Sequence, residues 1–125
     1  VSEIDEIIKK LNEQETIVKK SADIWSIGSY GSKADKAAKK LIKILFSEES
    51  YLVRSWAAWS LGRIGGKNSR KALEKLISNE VDEVVQTQAS NALEWLIKTE
   101  KALEKGFLFK PIESLESIET FELTE

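Results

Sequence analysis

Within residues 51–64 the apolar side chains Val53, Ala57, Leu61 and Ile64 recur at spacings of four, four and three, which puts them on one side of a helix. After a glycine-rich break, Ala72, Leu73, Leu76 and Ile77 form a second stripe of the same period. Followed along the chain, this alternation predicts helices over about 3–12, 15–30, 34–46, 50–64, 69–78 and 82–104. Gly31, Gly65 and Gly66 stand at the breaks, where a left-handed residue ends a helix, and Gly106 closes the last one. The expected core is Val53, Ala57, Leu61, Ile64, Leu73, Leu76, Ile77, Val85, Ala89, Leu93 and Leu96. The fold class predicted is all-α.

The helices repeat. WSIGSYGSKADKAAKKLI at 25–42 lies over WSLGRIGGKNSRKALEKLI at 59–77 with one single-residue gap. A more degenerate copy sits 32 residues further on, where Val85, Ala89 and Leu93 fall on Val53, Ala57 and Leu61. A period of 32 to 35 residues holds one helix pair, and a single pair cannot cover its own apolar face, so the pairs must stack. The expected architecture is an α-solenoid, an alpha-alpha superhelix of about three helix pairs over residues 1–105, followed by a tail at 106–125.

The second unit, ESYLVRSWAAWSLGRIGGKNSRKALEKLIS, closely resembles the HEAT-like repeat first named in phycobilisome lyase subunits. The residues that carry the resemblance are Val53-Arg54, Ala57-Ala58, Leu61-Gly62 and Ile64-Gly65, with Ser60 where the family has Ala. The first unit lacks the Val-Arg pair and the third has Leu93-Glu94 in place of Leu-Gly. The chain is similar above all to short stand-alone archaeal proteins of this kind. The resemblance implies a non-catalytic adaptor whose variable positions line a concave, partner-facing surface. Those positions are Tyr51, Leu52, Ser55, Trp56 and Trp59 in the second unit and Glu83, Val84, Thr87, Gln88 and Asn91 in the third.

A helical projection of 51–64 supports a second face. Leu52, Trp56, Trp59 and Arg63 form a line of their own, a quarter-turn or more from the core stripe. A helix packed on both sides gives the same pattern; a partner-facing groove is the sharper reading. Trp95 aligns with Arg63, whereas Trp25 aligns with Trp59 only in the gapped register and otherwise falls in the core stripe. Trp and Arg concentrate binding energy at interfaces. The candidate partner-binding set is therefore Tyr51, Leu52, Ser55, Trp56, Trp59, Arg63, Val84, Gln88, Asn91 and Trp95.

Composition narrows the chemistry. With no Cys and no His, thiol and imidazole catalysis, disulfides and the common zinc sites are all absent. Neither a cofactor nor a metal is expected, and the protein is read as a non-enzyme. No apolar run approaches the roughly 20 residues of a membrane helix, and acidic residues follow Val1 at once, so a cytoplasmic protein is expected. The lack of Cys and Met beside abundant Lys, Glu and Ile resembles a thermophile composition.

The net charge of −2 conceals a strong asymmetry. Residues 33–75 carry 11 basic and 4 acidic side chains, and residues 80–125 carry 4 basic and 11 acidic. Lys36, Lys39, Lys40 and Lys43, with Arg70, Lys71 and Lys75, sit on helices that the resemblance places on the convex side. They motivate one alternative, an accessory subunit of a nucleic-acid-handling complex, although a pI near 5.4 disfavours tight phosphate binding. A lyase-like enzyme subunit is a further alternative, supported by the resemblance alone. After Pro111 the chain interleaves Ile112, Leu115, Ile118, Phe121 and Leu123 with Glu at every third position from Glu113 to Glu125 and has no basic residue. Disordered segments hold few apolar residues, so this one is expected to dock, on this chain's own groove or on a second copy.

Overall fold

The computed structural model describes residues 2–106. Six α-helices follow one another: α1 (Glu3–Glu13), α2 (Ile17–Ser29), α3 (Ala38–Ser47), α4 (Tyr51–Ile64), α5 (Lys67–Asn79) and α6 (Glu83–Glu104). A 3-10 segment, Gly31–Ala37, joins α2 to α3. No strand occurs among the described residues. Four helix starts are fixed by side chains that accept a hydrogen bond from a backbone N–H one turn on: Ser2, Thr16, Ser50 and Asp82.

The helices form two layers. α2, α4 and α6 lie side by side in one, while α1, the 3-10 segment with α3, and α5 back them in the other. α4 is the hub, in contact with α2, α3, α5 and α6. A helix enclosed in this way needs small or apolar residues around most of its circumference. Val53, Ser55, Ala57, Ala58, Ser60, Leu61, Gly62 and Ile64 are indeed buried. Of the expected core, all but Ile77 and Leu93 are buried, and those two pack half-buried against it.

Ser55 departs from the expectation that it faces a partner. It is buried, and its hydroxyl has no hydrogen-bond partner among the described residues. It lies two turns before Gly62 on the side of α4 that meets α6, so the third inner helix covers it.

The repeat has a mechanical basis in small residues where the inner helices touch. A Cβ on Gly28 of α2 would fall 2.5 Å from Ser60 Oγ and 2.9 Å from Ser60 Cα of α4. A Cβ on Gly62 of α4 would fall 2.8 Å from the carbonyl oxygen of Ala92 of α6. Gly28 and Gly62 match in the repeat, as do Ser60 and Ala92, so the same contact is made twice. The buried Ser60 hydroxyl donates to the Ile24 carbonyl at 2.7 Å, which satisfies the one polar atom that the family's Ala would not bring. The third copy has Glu94 at the glycine position; it is exposed and pairs with Lys98, and no described helix packs on that side.

One helix boundary differs from the expected 34–46. The backbone over Gly31–Ala37 is 3-10, with Ala34 at φ −93 and ψ 20, and α3 begins at Ala38. From Trp25 to Leu41 the chain is one residue shorter than from the matching Trp59 to Leu76. A 3-10 path rises about 2.0 Å per residue against about 1.5 Å in an α-helix, so it recovers the missing length.

The Val-Arg pair divides its labour. Val53 is fully buried, while Arg54 ties two loops together. Its guanidinium donates to both Glu80 carboxylate oxygens, at 3.2 and 3.1 Å, and to the carbonyls of Glu48 and Glu49, at 3.0 and 2.8 Å. The α3–α4 and α5–α6 connections are thereby held at a fixed spacing.

Candidate functional site

At 22 residues, α6 outruns its neighbours, and its last turns wall a groove across the C-terminal ends of α2 and α4. The groove has a volume of about 650 Å³. Each inner helix contributes a tryptophan: Trp25 from α2, Trp59 from α4 and Trp95 from α6. Trp25 is 50 % exposed and Trp95 44 %, while Trp59 is half-buried. Leu103, 56 % exposed, closes the far side, and Glu100 accepts a hydrogen bond from the Gly66 N–H at 3.1 Å.

Arg63 organises the centre. Its guanidinium carbon lies 3.8 Å from the Trp95 ring centroid and 5.1 Å from that of Trp59, so both rings attract the cation through their faces. The residue sits in the last turn of α4, where the helix dipole also favours a positive charge. It forms no ion pair with a carboxylate among the described residues. A guanidinium held by stacking keeps its in-plane N–H donors available, and their fork fits a carboxylate or a phosphate.

The expected partner-facing residues separate on this frame. Trp59, Arg63 and Trp95 come together in the groove, and Gln88 and Asn91 line an adjoining hollow of about 280 Å³ between α4 and α6. Tyr51, Leu52 and Val84 are exposed at the opposite, N-terminal ends of their helices. Trp56 packs half-buried against the core and meets Trp59 edge-on, with centroids 5.7 Å apart and planes at 79°, so it props Trp59 rather than lining the groove. The docking residues Ile112, Leu115, Ile118, Phe121 and Leu123 lie outside the described residues.

Over this stack of helix pairs, a family model of HEAT repeats matches residues 4–94. The chain belongs to the HEAT repeat family. Comparison with curated proteins and with solved structures returned no match. HEAT repeats commonly mediate protein–protein interaction, and in this one the outer helices α3 and α5 carry Lys39, Lys43, Lys71 and Lys75 exposed, away from the groove. Lys36 on the 3-10 segment instead pairs with Asp5 at 3.0 Å. No described helix is long and apolar enough to cross a membrane, and the described residues hold no cluster of acidic side chains suited to a metal ion.

Trp25, Thr99, Glu100 and Leu103 are groove residues that sequence reasoning left out of the site. The signal for Trp25 was present in the gapped register that aligns it with Trp59, and the structure follows that register. The α6 residues had no counterpart in the repeat, because α4 ends at Ile64.

Proposed function

We propose that this HEAT repeat protein is a non-catalytic adaptor that captures an extended peptide segment carrying alternating apolar and acidic side chains. The observation that carries the reading is Arg63, stacked on tryptophan and with no carboxylate partner among the described residues, at the centre of a groove with one tryptophan from each inner helix. Apolar side chains of the segment would enter between Trp25, Trp59 and Trp95, and a carboxylate would take the Arg63 N–H edge. Aromatic and Arg side chains are the usual anchors of such surfaces. The units are read as the HEAT-like type of phycobilisome lyase subunits, a reading supported by the separate roles of Val53 in the core and Arg54 in the loop clamp.

The test is fluorescence anisotropy with a labelled peptide of alternating Ile and Glu. Binding that weakens at least about tenfold when every Glu is replaced by Lys, and similarly in Arg63→Ala, fits the reading; a drop of about 1.4 kcal/mol corresponds to that factor. Equal affinity for both peptides would refute it.

A further inference from the structure

Nothing described covers the groove, although it exposes Trp25, Trp95 and Leu103 together. Contiguous apolar surface of this kind on a soluble domain marks an interaction site. We infer that its occupant, in the absence of a partner, is this chain's own segment 112–123, folded back in cis. The inference rests on the groove reading above and identifies a competitor for the same site.

The exit of the chain supports this occupant. Leu103, in the last turn of α6, lines the groove, and three residues later Gly106 takes φ 76, a left-handed conformation that turns the chain off the helix axis. The described chain therefore ends beside the site. Packed helices stand about 8–10 Å apart, so a path across all three inner helices is about 20 Å. At about 3.3 Å per extended residue that takes roughly six residues. Nineteen follow Gly106.

The chemistry of segment and groove is complementary. Ile112, Leu115, Ile118 and Phe121 offer a large apolar side chain at every third position, each followed by a Glu. Apolar contact with the tryptophans supplies the affinity, and one carboxylate on Arg63 sets the register. Charge alone is too weak at physiological salt to hold an exposed segment. The segment brings five Glu and no basic residue over 111–125, and the cation that lines the groove to receive one of them is Arg63.

A docked segment competes with any partner for the groove. Tethering gives it an effective concentration of about millimolar, so a segment whose own affinity for the groove is about 0.1 mM weakens the apparent affinity of any partner roughly tenfold.

The experiment uses the full chain beside the full chain carrying Ile118→Ser and Phe121→Ser. The probe is a labelled synthetic peptide of residues 111–125, read by anisotropy, with molecular mass from light scattering. Cis docking predicts monomers in both cases and peptide binding at least about tenfold tighter to the variant. Equal, measurable affinity for both proteins would overturn the inference while leaving the groove reading intact, and no binding to either would overturn both. A wild-type dimer that dissociates on substitution would place the segment on a second copy and so overturn the cis arrangement. Loss of helical circular dichroism in the variant would assign these residues to the folding core and overturn it as well.

Discussion

The guanidinium carbon of Arg63, on α4, stands 3.8 Å from the centroid of the Trp95 ring, on α6. The two positions align in the repeat, so neighbouring copies present a cation and an aromatic face to each other at one place on the inner layer. The contact joins two helices that also meet through Gly62 and Ala92. At an exposed site such a contact is worth about 0.5–1 kcal/mol.

Arg63→Ala should therefore weaken capture of an acidic-apolar peptide by about 1–3 kcal/mol and lower the thermal midpoint little, since a charged hydrogen bond is lost at the site and no core is opened. Arg63→Lys should recover only part of the affinity, because an ammonium neither stacks nor offers a planar fork. Anisotropy titrations beside thermal melts check both statements. Equal recovery by Lys would mean that charge alone matters.

Gly62→Ala should destabilise the fold by more than about 1 kcal/mol, as its Cβ would lie 2.8 Å from the Ala92 carbonyl oxygen and neither backbone yields easily. Glu94→Ala, at the matching position of the third copy, is exposed and should stay within about 0.5 kcal/mol of the wild type. Urea unfolding of the two variants side by side measures the contrast.

In the core, Leu61→Ala should cost about 2–5 kcal/mol, since Leu61 is fully buried in the hub helix. Ser55→Ala should be neutral or stabilising, because the buried hydroxyl it removes has no partner among the described residues. Peptide affinity should be unchanged in Ser55→Ala. Chemical denaturation and the anisotropy assay report these outcomes.

Much of this arrangement is legible in the chain itself. The 3.6 period gives the six helices, and self-similarity gives the stack, because both depend on local spacing. The periodicity also places Trp59, Arg63 and Trp95 on one line. It misjudges Ser55, since projecting a single helix cannot register that a third helix covers its flank. Trp56 and Trp59 are both half-buried, yet only Trp59 lines the groove; that difference arises from where α2 and α6 end relative to α4. Thr99, Glu100 and Leu103 escape notice because a site wall built by extra helix length leaves no mark in a repeat alignment.

The Asp5–Lys36 pair fastens α1 to the 3-10 segment, and the ammonium, helped by the Ser2 hydroxyl, holds the Asp5 carboxyl below its ordinary pKa. A carboxylate depressed in the folded state adds stability above its unfolded pKa, and that contribution disappears as pH falls through the folded value. Lys36→Ala should move the Asp5 titration back up towards an ordinary carboxylate and flatten the acid limb of the stability profile there. Carbon-detected NMR titration of the Asp5 carboxyl follows the change; an unmoved midpoint would show that the pair is not formed in solution.

The groove itself is tested most directly by the four tryptophan indole N–H resonances of the ¹⁵N-labelled chain, followed as the Ile/Glu peptide is added. The account predicts shifts of the Trp25, Trp59 and Trp95 signals that saturate together, with Trp56 moving least, and loss of all of them in Arg63→Ala. Binding that leaves Trp25 and Trp95 unmoved, or that persists unchanged without the Arg63 guanidinium, would contradict it.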